Sequence, residues 1–297
     1  MALGQAAAAA MSTRVRSAAQ AGLDDLRAAM AEAFSDYLTP LNLSPKIFRF
    51  MLAQRGFDST LSQVAVVEGR IASFSLIGTD GDPRVPGAYV ISMGTLPAFR
   101  RRGLAQQVFG AVKRATAEAG KTALSLEVID ANDAARGLYE ALGFIPRRKL
   151  LCFDLSGPLP RKEDDAEITV RPIVVSEHRD LLAPFHDKPP SWQNDFGALA
   201  RVEDQVNAVG AYLGGVCVGY GAVFRPIRAL AQIAVNPAQR RRGIGRSILQ
   251  RLLSEADANR GLTVLNIDEG NRSLKGFLER LGARQNTVQS EMVLRLA

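Results

Sequence analysis

Two arginine runs carry the first chemical signal. Arg100-Arg101-Arg102 is followed at once by Gly103, Leu104 and Ala105, and Arg240-Arg241-Arg242 by Gly243, Ile244 and Gly245. An apolar, strand-like run precedes each, and an amphipathic stretch follows. In the first copy Leu104, Val108, Ala111, Val112 and Ala115 fall on one helical stripe. A strand, a glycine turn and a helix start have a definite use. Glycine lets backbone approach a ligand closely, and the free amides of the first helical turn, with the helix dipole, make an anion site suited to a pyrophosphate. No aromatics are interleaved with the arginines, as a stacking surface for nucleic acid would require. Taken singly, either run also reads as solvated basic surface; their doubling sets them apart.

The two copies belong to an internal repeat. Thr95 to Ala105 aligns with Val235 to Gly245 at a spacing of 140 residues, and Asn132, Ala135 and Leu142-Gly143 align with Asn271, Leu274 and Leu281-Gly282 at 139. A repeat near half of a 297-residue chain means a duplicated domain. The breaker- and charge-rich run from Ser156 to Asp165 marks the seam. The chain therefore divides into a lead-in over 1–13, a first domain over 14–155, a linker over 156–166 and a second domain over 167–297.

Both domains show the same order of elements. In the first, helices are predicted over Leu23 to Phe34 and Ile47 to Gln54, then strands over Gln63 to Val67, Ile71 to Ile77 and Ala88 to Leu96, with Gly69 turning a hairpin. The helix from Leu104, a strand over Leu124 to Ile129, a helix over Asp133 to Leu142 and a strand over Lys149 to Leu155 complete it. The second domain repeats this with strands at Val206 to Tyr212, Val216 to Phe224, Ala229 to Val235, Leu262 to Ile267 and Gln289 to Leu296, and helices at Ile244 to Ala256 and Asn271 to Leu281. Hairpins feeding a strand–helix–strand crossover predict an α/β (α+β) mixed-sheet sandwich with helices on both faces.

Composition narrows the class. The chain is 47% hydrophobic and 23% charged, as soluble globular proteins are, and no apolar run approaches the about 18 residues that span a bilayer. The opening MALGQAAAAAM lacks a basic n-region, so no signal peptide is expected. Cys152 and Cys217 lie in strand-like runs without metal or disulfide spacing, which points to a reduced, cytoplasmic setting and no metal. A net charge of +7 admits nucleic acid, a membrane surface or a phosphorylated small molecule as partner. Concentration of the arginines at two glycine turns favours the small molecule over the other two.

On these motifs the chain resembles the GCN5-related N-acetyltransferases in their tandem arrangement, over both domains. The family signature, Arg/Gln-x-x-Gly-x-Gly/Ala after a splayed strand, is matched by Arg100, Gly103 and Ala105 and again by Arg240, Gly243 and Gly245. The resemblance implies acetyl-CoA as co-substrate. Backbone amides of Arg101, Arg102, Gly103, Leu104, Ala105 and Gln106 would cradle its pyrophosphate, and Met93, Gly94 and Thr95 would pair with the pantetheine arm as an added strand. The second-domain counterparts are Arg241, Arg242, Gly243, Ile244, Gly245 and Arg246, with Ile233, Ala234 and Val235.

The family's second motif, Asn-x-x-Ala-x-x-x-Tyr-x-x-x-Gly-Phe, is complete as Asn132, Ala135, Tyr139, Gly143 and Phe144. By resemblance Asn132 bonds the pantetheine, with Asn271 as its counterpart, and Tyr139 is the general acid for the leaving thiolate. Leu126-Glu127-Val128, with Glu127 12 residues before Tyr139, matches the bacterial ribosomal-protein alanine acetyltransferases and implies Glu127 as general base; its alternative is a strand carboxylate in solvent or paired with an arginine. A backbone amide near Met93 to Thr95 would polarise the thioester carbonyl. The second domain departs from the pattern: Leu278 stands at the tyrosine position, Asn266 at the glutamate and Ala283 at the phenylalanine, while the neighbouring Phe277 carries no proton.

Other residues read more plainly. His186 lies in a loop with Trp192, the sole tryptophan, which reads as surface or, by resemblance, as a lid over the acceptor cleft; neither His178 nor His186 has a metal partner at ligand spacing. Serine and cysteine nucleophiles lack a base at motif spacing. Phe34, Tyr37, Leu38, Leu41 and Phe48 fall in the segment that shapes the acceptor pocket in this family, with core packing as their default. The expected function is transfer of acetyl from acetyl-CoA to a primary amine of a small molecule or peptide, in the first domain, by a monomer or homodimer. Catalysis by the second domain, and a non-catalytic acyl-CoA-binding regulator, are the alternatives.

Overall fold

The computed structural model describes residues 13–36, 43–80, 86–156, 159, 167–255 and 261–296; Tyr37, Leu38, Leu41, Ala256, nearly all of the lead-in and most of the linker lie outside the described residues. The first half runs β1 (Thr13–Ser17), α1 (Leu23–Ala33), α2 (Pro45–Gln54), β2 (Phe57–Val67), β3 (Arg70–Gly78) and β4 (Gly87–Thr95). It continues with α3 (Leu104–Glu118), β5 (Ala123–Ile129), α4 (Asp133–Ala141) and β6 (Ile145–Leu155). The second half runs β7 (Ile168–Pro172), the short helices α5 (Arg179–Leu182) and α6 (Phe196–Arg201), β8 (Val206–Leu213), β9 (Val216–Phe224) and β10 (Ala229–Val235). It ends with α7 (Ile244–Glu255), β11 (Leu262–Asp268), α8 (Arg272–Arg280) and β12 (Arg284–Arg295).

Local chemistry accounts for many boundaries. Glu68 and Gly69 both take positive φ, 51° and 78°, as a two-residue hairpin between twisted strands requires. The Ser44 hydroxyl caps α2 ahead of Pro45, and the Asp195 carboxylate caps α6. Every strand and helix expected from the periodicity is present. β1 and β7 are additional: at five residues each, TRVRS and ITVRP carry too little apolar pattern to be read.

Among the described residues twelve strands form one mixed sheet in the order β1-β2-β3-β4-β5-β12-β6-β11-β10-β9-β8-β7. The last strands are exchanged. β12, from the second half, lies between β5 and β6 of the first, and β6 pairs with β11 of the second. The cores follow the strands. Leu151, Phe153 and Leu155 of β6 are buried with Ile244, Ile248, Leu249 and Leu252 of α7, whereas Met292 and Leu294 of β12 are buried with Phe109, Val112, Leu124 and Leu126. Polar contacts close the seam. The Arg148 guanidinium meets Glu291 at 2.5 Å and Asp268 at 3.1 Å, and Lys149 pairs with Asp130.

Each half therefore unfolds with the other. Phe153→Ala, although in the first half, opens a cavity under α7 and should cost about 3–5 kcal/mol. Urea unfolding followed by Trp192 fluorescence and by far-ultraviolet circular dichroism should give one coincident transition in wild type and variant alike. Two separated transitions would show that the exchange does not couple the halves.

Candidate functional site

In each half two parallel strands part and leave a mouth. β4 pairs with β5 only from Gly87 to Tyr89, and β10 pairs with β11 only at Ala229 and Leu230. The glycine turns sit at these mouths in one shared backbone form: φ is 61° at Arg101 and 73° at Gly103, 68° at Arg241 and 89° at Gly243. A non-glycine residue held there costs of order 1–3 kcal/mol, and two equal copies argue that the shape is required. A Cβ on Gly243 would meet open space and one on Gly103 only the Gln107 amide at 4.0 Å, so conformation and not crowding calls for glycine. Gly103 caps α3 without a side chain, which leaves the first-turn amides open to the cleft.

The clefts measure about 750 Å³ in the first half and 740 Å³ in the second. Met93, Gly94, Thr95, Arg100, Arg101, Gly103, Leu104, Ala105, Gln106 and Asn132 line the first. Ile233, Ala234, Val235, Arg240, Arg241, Gly243, Ile244, Gly245, Arg246 and Asn271 line the second. Arg102 and Arg242 do not. Arg102 bonds the Ala98 carbonyl at 2.9 Å and lies over the Phe99 ring, and Arg242 turns to Gln239 and Glu167. The first arginine of each run is a brace. Arg100 bonds the Asp36 carboxylate and the carbonyls of Thr95 and Ala33, and Arg240 bonds Asp187 and the carbonyls of Val235 and Phe185. These bonds hold the Asp36 and Asp187 carboxyls below their ordinary range. Asn132 and Asn271 cap α4 and α8 with their side-chain oxygens, accepting from Ala135 at 3.0 Å and Leu274 at 3.2 Å.

Glu127 sits at the seam, outside the residues that line the first cleft. Oε2 accepts from Asn266 Nδ2 at 2.6 Å and from the Gln193 amide; Oε1 is shut from solvent and makes no bond. Burial pushes the carboxyl up to about 7, against the pull of Arg55 and Ser191, with Glu291 adding to the rise. Its surroundings come largely from the second half. The Trp192 ring stacks on Tyr89 at 5.6 Å, and Gln193 is bonded by Arg55 and donates to Tyr89. The loop that reads as surface or lid is exposed at Pro184 and from Asp187 to Pro189, while its end at Ser191 and the Gln193 and Asn194 that follow are buried, with Trp192 part-exposed. Its contacts lie some 60 to 140 residues away in sequence, where no local pattern could reveal them.

Tyr139 is half-buried, edge-on to Phe144 at 5.8 Å, one position after the cleft-lining Leu138. Leu278, its counterpart, is fully buried in the second core. His186 lines the second cleft, and its Nε2 lies 2.6 Å from the Tyr220 hydroxyl. Burial pushes this imidazole down to about 4. Among the described residues no group of histidine, cysteine and carboxylate side chains could hold a metal, and no helix is long and apolar enough to cross a membrane.

The model of the acetyltransferase (GNAT) family matches residues 24–144 and 173–283. No curated protein matches by sequence. A GCN5-related N-acetyltransferase from Sphaerobacter thermophilus superposes with a TM-score of 0.72 at 17% identity, over 96% of each chain. A tandem GNAT protein from the clavulanic acid biosynthesis pathway gives 0.70 at 16% identity, over 96% of this chain and 99% of the other. A GCN5-related N-acetyltransferase from Kribbella flavida gives 0.53 at 15% identity, over 75% of this chain and 86% of the other. At these identities the likeness is one of fold.

The raised Glu127 carboxyl sets a pH dependence. Below about pH 4.5 it is neutral folded or unfolded; between there and about 7 only the unfolded chain ionises, so its effect is to lower stability as pH rises through that window. Glu127→Gln should therefore gain stability relative to wild type from pH 5 to pH 8, by urea denaturation. An equal difference at both pH values would contradict the assignment.

Proposed function

Because the chain belongs to the acetyltransferase (GNAT) family, we propose that it transfers the acetyl group of acetyl-CoA to a primary amine, with Glu127 as base and Tyr139 as acid in the first half. The observation that carries this reading is the doubled glycine turn, which opens a helix N-terminus into each cleft. A diphosphate placed there meets unspent amides and the positive end of α3 or α7. The middle arginines, Arg101 and Arg241, line these clefts and add charge.

Chemistry divides among few groups. The acceptor arrives as an ammonium and must lose a proton. Glu127 takes it, directly or through water: Oε1 makes no hydrogen bond within the protein, and a basicity near 7 suits a base at neutral pH. The amine then attacks the thioester carbon, the carbon–sulfur bond breaks, sulfur takes the Tyr139 proton, and the excess proton on the newly bonded nitrogen restores the phenol. Leaving thiols near pKa 8.5 depart without much help, so loss of the acid should cost near the low end of the usual 10²–10⁴ range. Small-molecule and peptide amines are both acceptors of the family, and a cytoplasmic setting suits the free thiols of Cys152 and Cys217.

Binding calorimetry should find two CoA per chain, with Gly103→Glu and Gly243→Glu each removing one. One equivalent, unchanged by Gly243→Glu, would refute the second site. Kinetics follow thiol release with a panel of polyamine, aminosugar, aminoglycoside, amino acid and peptide N-terminus, in the Gly243→Glu chain so that only the first cleft is loaded. There Tyr139→Phe should lower kcat on the order of 10² with KM for acetyl-CoA little changed. Glu127→Gln should abolish the rise in rate through pH 7. Full kcat in both variants would overturn the assignment, and CoA binding without thiol release by the wild type would identify a regulator.

A further inference from the structure

We propose that the second cleft is a separate acyl-transfer site in which His186 Nδ1 is the proton acceptor, positioned by Tyr220 and Gln232. The proposal rests on acetyl-CoA being the donor, as above, but concerns residues that the family motifs do not include. The two halves differ at one pair of equal places. Arg100 and Arg240 occupy equal places, and each bonds one main-chain carbonyl at a helix end, Ala33 in the first half and Phe185 in the second. The next residues are Phe34 and His186, and each lines its own cleft. Across the sheet, Phe74 is registered with Gly94 and Tyr220 with Ala234, again equal places. Phe34 meets Phe74 edge-on at 6.5 Å; His186 meets Tyr220 edge-on at 5.8 Å. One aromatic pair is wholly apolar, and the other carries an imidazole and a phenol in the same geometry.

The hydrogen bonds fix the proton on that imidazole. The main-chain carbonyl of Asn194 can only accept, so Gln232 presents its nitrogen there and its Oε1 to Tyr220. The Tyr220 hydroxyl donates to Gln232, and its oxygen is left to accept from His186 Nε2–H. Nδ1 thus keeps its lone pair, and no described residue bonds it. Tyr220 and Gln232 are buried, at 0% and 3% exposure, so water does not compete for the chain of bonds. His186 lines both the large cleft with the glycine turn and the recess where β10 and β11 part, the junction an attacking amine and a thioester would share. Leu278 and Asn266 leave this half without the tyrosine and glutamate of the first; His186 supplies a titratable group in their stead.

The step balances without another reactant. A neutral amine attacks the thioester carbon, and the new nitrogen–carbon bond releases a proton to Nδ1. The carbon–sulfur bond breaks with its electron pair on sulfur. The imidazolium, which burial disfavours, passes its proton to the thiolate and is neutral again.

The test silences the first cleft with Gly103→Glu and follows thiol release from acetyl-CoA with the amine panel. Turnover should persist in this chain. Adding His186→Phe, the residue type at the equal place in the first half, should lower kcat about 10²–10³-fold while calorimetry still finds CoA in the second cleft. Tyr220→Phe should lower kcat about 10-fold and, by nitrogen-15 NMR of the two histidines, release His186 from the Nε2–H tautomer. A folded Gly103→Glu chain that binds CoA but releases no thiol, while the wild type does, overturns this proposal alone. So does a His186→Phe chain within twofold of its parent, or a wild-type His186 protonated on Nδ1. A wild type without turnover overturns the acetyl-transfer reading and this one together.

Discussion

The exchange of terminal strands is the constraint on which the rest depends. Where the parallel pair parts to form a mouth, β5 beyond Ser125 loses β4 on one flank and is held by its other flank alone. β12, from the other half, pairs along that far flank from Ala123 to Ile129, and β6 does the same for β11. The mouth can stay open because the far side of the splayed strand is secured by the second half. Glu291 shows the coupling in one residue: registered with Glu127 on one strand and Arg148 on the other, it is held by the guanidinium of a chain segment 143 residues away.

That constraint also makes the seam a chemical environment. Glu127 and Asn266 occupy equal places in the repeat, and the exchange brings them into direct contact. Asn266 stands where β11 bulges, with φ at 60°, a conformation that asparagine tolerates better than most side chains. Two carboxylates at this point would repel in a buried space; one carboxylate and one amide form a bond. Asparagine at the second half's equal place therefore gives the buried Glu127 a hydrogen-bond donor.

The arginine runs divide their labour in the same way in both halves. One member braces the turn to a helix end, one lines the cleft in a strained conformation, and one turns outward. What looks in sequence like a block of charge is mostly a device for holding a backbone shape. With the brace spent on Asp36 or Asp187, the first cleft is left with amides and the Arg101 guanidinium, and the second with amides and the guanidinium groups of Arg241, Arg246, Arg272 and Arg280.

Periodicity and turn chemistry made nearly every helix and strand legible, since Gly69, Gly103 and Gly243 act through their own backbone angles and apolar stripes act through neighbours three or four positions away. The repeat made the duplication legible for the same reason, residue by residue, from Arg100 against Arg240. Partner choice was not legible. Nothing in Gln289 to Arg295 distinguishes pairing with β5 from pairing within its own half, because strand pairing depends on which edges are free once both halves have folded. Nor could the Glu127 surroundings or the His186–Tyr220–Gln232 chain be read, as each joins side chains far apart in sequence whose protonation is set by burial. Local spacing decided the elements and the glycine turns; the assembled sheet decided the seam and the charge states within it, because desolvation belongs to the whole packed chain and to no short segment of it.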